Sequence, residues 1–184
     1  LYNRHLVITQ QHREPWQHWI ADNFLNEQTL AEVKSIPHQR HQNTAGKRVG
    51  QGRLFIDDDV QHQYPHLHAL WRDMHNGATQ QYFEHYTKQR YSGLFPRIEV
   101  ISDIGEFELE RHHDLLEKRL TALVYTDHEH LWPGTTIGDD HVVEARDNRC
   151  MFFVPSTDTW HSYPKTTFDC VRRALQINYW TYSV

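Results

Sequence analysis

The spacing of apolar positions changes near residue 91 and divides the chain into a helical half and a strand-like half. In the first half, Asn26 followed by Glu27 predicts a helix start, and Leu30, Val33 and Ile36 recur at threes until Pro37 ends the pattern. Pro65 opens a longer stripe through Leu67, Leu70, Trp71, Met74, Ala78, Tyr82, Phe83 and Tyr86, which predicts one amphipathic helix packed on a sheet. After Gly93 the chain turns to short runs rich in β-branched and aromatic residues: RIEVIS, EFELERH, RLTALVYT, GTTIG, HVVEAR, CMFFVP and VRRALQINYW. Turn residues, not helices, separate these runs. Antiparallel pairing in a sandwich or jelly roll is therefore expected, with the first half as a helical layer over one sheet. Segment 127–140, rich in charge and carrying Pro and Gly, has the character of a loop at a barrel mouth.

Length and composition narrow this picture. At 184 residues the chain suits a single domain, 1–184, with residues 1–90 as a helical buttress and 91–184 as the strand core. A net charge of −5 and a mean hydropathy of −0.79 describe a polar, mildly acidic surface, which argues against a polyanionic partner. No stretch approaches the roughly 20 apolar residues of a membrane helix, and no charged start leads into an apolar signal-like region. A soluble, cytoplasmic protein is expected, although the chain begins at Leu1 and leaves a preceding leader open. Cys150 and Cys170 fall in apolar strand-like runs and are expected as reduced, packed thiols. Sixteen histidines are the compositional oddity; most sit singly in polar loops such as 38–42 and 62–68 and are expected at the surface.

A few of these histidines carry chemistry. In RHHDLLEKRLTALVYT, His112 and Asp114 are two apart, so on a strand both face one side while His113 faces the other. His161, just beyond the run CMFFVP, is where a barrel can return a third ligand to the same mouth. Two imidazoles and one carboxylate on one face of an octahedron leave three adjacent positions open, the arrangement of oxygen-activating Fe(II). Alone the pair is weak, because composition produces about one His-x-Asp by chance. His12-Arg13-Glu14 has a similar shape without strand context and is set aside as a decoy. Arg172 strengthens the triad: it opens the final strand-like run, where alternation puts Arg172, Ala174, Gln176 and Asn178 on one face.

The ordered set His112-x-Asp114, Tyr125, Gly134-Thr135, His161 and Arg172-x-Ala174 resembles the Fe(II)/2-oxoglutarate-dependent dioxygenases, in the prolyl hydroxylase-like branch. PWQHWIADNFLNEQTLAEVKSI is similar to the leading strand and helix of that branch, and FPRIEVISDIGEFELERHHD to its approach to the first ligand. The resemblance implies a double-stranded β-helix, a jelly roll with N-terminal helices packed on the major sheet. It also implies Fe(II) on His112, Asp114 and His161, with O₂ and 2-oxoglutarate as cosubstrates. Arg172 would bind the distal carboxylate of 2-oxoglutarate through its planar fork. Tyr125 would donate its hydroxyl to the same carboxylate, with Thr121 as a further contact. Asn178 and Trp160 are expected near the substrate chamber. The implied reaction is hydroxylation of an unactivated C–H bond coupled to decarboxylation of 2-oxoglutarate to succinate.

Rival readings use the same residues. A zinc hydrolase shares the ligand types, but a helical His-Glu-x-x-His is absent and Arg172 would have no task. A cupin-like module that binds metal or sugar without redox chemistry is a third class. Within the resemblance, halogenating members lack the carboxylate that Asp114 provides. Nucleic-acid demethylases carry a second arginine where this chain has Asn178. Prolyl peptides, free amino acids, carbohydrates and other small polar metabolites all stay open as substrates, because loops 38–53 and 127–140 carry no readable code.

Overall fold

The computed structural model describes residues 8–38, 51–126 and 132–182. Nine strands and three helices follow in the order β1 (Ile8–His12), β2 (His18–Asp22), α1 (Glu27–Ser35), β3 (Gln51–Ile56), α2 (Pro65–Asp73), α3 (Ala78–Thr87), β4 (Phe95–His112), β5 (Lys118–Tyr125), β6 (Thr135–Ile137), β7 (His141–Val143), β8 (Arg149–Phe153) and β9 (His161–Trp180). All strand pairings among the described residues are antiparallel, and the major sheet runs β1-β2-β8-β5-β9-β4-β3. The short β6–β7 pair attaches to the start of β9. Strands β4 and β9 are long enough to serve both layers. Their ladder slips at Asp103/Gly105 and twice more before His112, and Gly105 takes a positive φ of 72° there, a conformation that suits glycine. The result is the curled antiparallel half-barrel of a double-stranded β-helix.

Alternation assigns each strand residue a side. Leu120, Ala122, Val124, Cys150, Phe152, Leu175, Ile177 and Tyr179 join Val33, Leu67, Leu70, Met74 and Phe83 of the helices in one buried core. The opposite side chains of the same strands, with Ile137 and Val143 from the β6–β7 pair, form a second cluster around Trp16, Tyr125, Met151 and Phe153. Both cysteines are free thiols, Cys150 buried and Cys170 half-buried.

The helix expected from Asn26 forms, and the Asn26 side chain accepts from Thr29 N at 2.8 Å. The single helix expected over residues 65–86 is instead two, α2 and α3, broken at Gly77. Asp73 supplies the new start by accepting from Ala78 N and Thr79 N at 3.1 and 2.7 Å. A Cβ on Gly77 would stand 2.0 Å from Asp73 Oδ1 and 2.5 Å from its backbone oxygen, so the break needs glycine. The helical first half also contains β1, β2 and β3: β1 and β3 are the two edges of the major sheet, β2 joins β1 to distant β8, and β3 pairs with β4. RIEVIS and EFELERH are parts of one strand, β4. His68, expected at the surface, is buried in α2 and bonds Asp58 at 2.9 Å. Parts of both substrate loops, 39–50 and 127–131, lie outside the described residues. No described helix is long and apolar enough to cross a membrane.

Candidate metal centre

His112 ends β4 and His161 opens β9, and the two residues are register partners across that ladder. Asp114 lies two residues past the end of β4, in the turn leading to β5. Ligand atoms of the three lie within 4.8 Å of one another, the only such group of three among the described residues. The two imidazoles are oriented alike. Nδ1 of His112 contacts the Glu110 carbonyl at 2.9 Å, and Nδ1 of His161 contacts the Thr159 carbonyl at 2.9 Å. A carbonyl can only accept, so each Nδ1 carries a proton, and Nε2 is the ring nitrogen left to face a metal. Burial lowers the pKa of His161, and its partial restoration by Asp114 and by the Thr159 hydrogen bond leaves it below the ordinary value. His161 is thus neutral and able to donate its electron pair near pH 7.

Asp114 is held as a carboxylate. Burial alone would raise its pKa, but Lys118, His161 and hydrogen bonds from Lys118 and Thr121 outweigh it and hold it below the usual range. Lys118 Nζ lies 2.8 Å from Oδ1, and Thr121 Oγ donates to Oδ2 at 2.6 Å. Thr121 Oγ also lies 3.1 Å from the Asn178 side-chain amide, opposite it in the β5–β9 ladder. One hydroxyl carries one proton. The shorter and charge-assisted contact, to Asp114 Oδ2, takes it.

These residues open on a cavity of about 400 Å³ between the sheets, which Arg172 also lines. The expected face is seen: Arg172 and Gln176 point into the cavity side, while Arg173 turns the other way and donates to the Ile36 carbonyl behind α1 at 2.7 Å. The Arg172 guanidinium is buried, bonds Asp103 Oδ2 at 2.5 Å and lies 4.6 Å from the Tyr163 ring centre. Tyr125 is buried beside it, and its hydroxyl donates to Thr135 at 2.7 Å. Burial pushes the Tyr125 pKa up to about 12, so the phenol keeps its proton and stays a donor.

Other expected positions fall elsewhere. Thr121 lines the cavity, but its hydroxyl is committed to the Asp114 carboxylate, which it orients. Asn178 is fully buried behind Thr121 and does not line the cavity. Trp160, expected at the substrate chamber, is at the surface: its ring lies against His113 and under Arg111, outside the cavity lining. The decoy His12 stacks on His18 and takes no part in the group of ligands. Asp103, Tyr163, Arg53, Arg97 and Glu99 had no signal beyond their charge or ring, because only the long ladders of β4 bring them together; Lys118 reaches Asp114 locally, four residues on across the turn into β5.

No family model and no curated protein matches the sequence. Solved structures do match in fold. A prolyl 4-hydroxylase from Phytophthora capsici superposes with a TM-score of 0.63 at 15% identity over 91% of this chain, which spans 59% of that one. A prolyl-4-hydroxylase from Pseudomonas putida gives 0.57 at 16% identity, over 96% of this chain and 93% of that one. The non-heme alpha ketoglutarate dependent epimerase SnoN from nogalamycin biosynthesis gives 0.60 at 16%, over 88% and 76%. The chain therefore has the double-stranded β-helix fold of the 2-oxoglutarate-Fe(II) oxygenases, prolyl hydroxylases among them, with a His-Asp-His group able to hold a metal at its mouth.

Proposed function

We propose that the chain is an Fe(II)- and 2-oxoglutarate-dependent oxygenase that hydroxylates an unactivated C–H bond. The observation that carries this reading is one cavity lined both by the His112, Asp114 and His161 group and by the buried Arg172 guanidinium. The donor set fits iron: two imidazole Nε2 atoms and one carboxylate, each fixed by a hydrogen bond on its far side. Lys118 matters to that fit, since it keeps Asp114 ionised without occupying the imidazoles.

Iron, when bound with 2-oxoglutarate and O₂, supplies the oxidising chemistry that turns the 2-oxo acid into succinate and CO₂ and hydroxylates the substrate. The chain binds and orients. Arg172 would take the distal carboxylate of 2-oxoglutarate, and Asp103 holds the guanidinium in place for it. One phenol stands by: the Tyr163 hydroxyl, in the cavity lining, has no hydrogen-bond partner among the described residues, so it is a donor ready for an incoming carboxylate. Tyr125 lies behind the lining with its hydroxyl committed to Thr135, and would reach the carboxylate only by giving up that bond. The apolar walls of Leu123, Met151 and Phe153 exclude water from the reaction. Halogenation and zinc hydrolysis are poorer readings, because Asp114 occupies the carboxylate position and neither gives Arg172 a role.

The test is substrate-independent. Succinate formed from 2-oxoglutarate with Fe(II) and O₂ is measured in the wild type, His112→Ala and Arg172→Ala. Slow uncoupled turnover is expected, lost in the first variant and shifted to at least 30-fold higher 2-oxoglutarate concentration in the second. A wild type whose 2-oxoglutarate affinity is indifferent to Fe(II) would be a cupin-like binding module instead.

A further inference from the structure

The cavity wall contains a second cationic group that the reading above does not use. Arg97 and Glu99 project from the cavity side of β4, Arg53 from β3, and Gln176 and Trp180 from β9. Glu99 receives both arginines: Arg53 hydrogen-bonds one oxygen, and Arg97 Nε lies 2.8 Å from the other. Along β4, Glu99 is four residues from Asp103, the partner of Arg172, so this group lies roughly 13 Å from the Arg172 pair. It is a separate subsite.

Charge decides what it suits. Four cations line the cavity, Arg53, Arg97, Lys118 and Arg172, against the two carboxylates Glu99 and Asp114. Lys118 is matched by Asp114, and Arg172 by Asp103 behind the wall. Arg53 and Arg97 both meet Glu99, which is only 3% exposed, so a chain with a net charge of −5 crowds cations into a partly buried wall. Burying a guanidinium is costly unless its donors find acceptors.

Arg97 is the member with capacity to spare. It meets Glu99 through Nε, and its two terminal nitrogens have no acceptor among the described residues. The rings of Phe55 and Trp180 lie 4.7 and 5.6 Å from its guanidinium carbon and hold the plane of the fork. A planar fork with both terminal nitrogens available matches the two oxygens of a carboxylate. The remaining lining, with Ile101, Phe107 and Leu109, suits a small organic body, and about 400 Å³ must hold both it and the cosubstrate.

We propose that the substrate is a small carboxylic acid whose carboxylate is gripped by Arg97, with Arg53 and Glu99 fixing the guanidinium. This names the substrate class for the oxygenase reading and rests on it. The test measures binding, so it does not depend on iron or turnover. Calorimetric titration compares free L-amino acids, N-acetyl amino acids and tripeptides, each with its own C-terminal amide, with 2-oxoglutarate present to occupy the Arg172 end. At least one small acid is expected to bind 30-fold or more tightly than its amide. Arg97→Gln should erase that preference, and Arg97→Lys should restore part of it. No acid preferring its site over the amide, a preference that survives Arg97→Gln, or binding of the tripeptides alone would each overturn the proposal. Absent 2-oxoglutarate turnover alongside intact acid binding would instead sink the oxygenase reading and leave this site standing.

Discussion

The two faces of the major sheet are made by alternate residues of the same strands and could hardly differ more. On β9, Leu175, Ile177 and Tyr179 enter the core beneath the helices, while Arg172, Gln176 and Trp180 line the cavity. On β5, Leu120, Ala122 and Val124 go one way; Thr121, Leu123 and Tyr125 go the other. The helix-covered face is closed by apolar contact, which stabilises the fold and needs no particular partner atom. The cavity face is held by charge pairs and directed hydrogen bonds, which fix positions and add little net stability. A period of two lets one strand serve both ends without compromise.

The largest expected effect comes from attacking the closed face. Phe152 is fully buried on β8, and its ring meets those of Trp19, Tyr82, Phe83 and Tyr86. Phe152→Ala should cost about 3–5 kcal/mol and lower the melting temperature by on the order of 10 °C. Fe(II) affinity, measured where the variant is folded, should stay near that of the wild type. A large loss of affinity there would mean that the two faces are not separable.

The converse change is Thr121→Val on the cavity face of β5. It removes the hydroxyl that orients Asp114 and should weaken Fe(II) binding about 10–100-fold in an anaerobic titration. Its stability cost should be no more than about 1–3 kcal/mol, from the unpaired Asn178 amide and the unsupported Asp114. Unchanged affinity would remove Thr121 from the account of the ligand.

Sequence periodicity revealed the faces better than the contacts. The run VRRALQINYW placed Arg172, Gln176 and Asn178 on one side correctly, because alternation is local. It could not show that Asn178 would spend its amide on Thr121, 57 residues away, or that Arg97 and Arg53 would meet on Glu99. Those meetings depend on the register of β3, β4, β5 and β9. The helical stripe from Leu67 to Tyr86 misled for a different reason: its apolar spacing survives the break at Gly77, since α2 and α3 face the same core. Gly77→Ala should therefore cost about 1–2 kcal/mol by forcing Asp73 out of its capping position, leaving Fe(II) affinity intact. A melt indistinguishable from the wild type would show that the break is set by packing and not by glycine.

The smallest effect concerns a polar residue placed on the cavity side without a charge partner. His18 on β2 is fully buried, its Nδ1 donates to the Trp16 carbonyl at 2.9 Å, and its ring stacks on His12. Burial lowers its pKa from the ordinary value of 6.5, the Trp16 hydrogen bond opposes this, and His12 and His141 push the same way as burial. In the unfolded chain His18 takes up a proton near pH 6.5, whereas in the folded chain it does so only at lower pH. Between those values the unfolded state binds more protons, so stability present above about pH 6.5 is lost as the pH falls. His161 is shifted in the same direction and adds to the slope, while Asp114 acts only in the carboxylate range. His18→Phe should make the fall in melting temperature between pH 7.5 and 5.5 shallower without abolishing it, since the share of His161 persists. An identical slope in both proteins would mean that His18 protonates as readily folded as unfolded, and that burial on the cavity face costs an imidazole nothing.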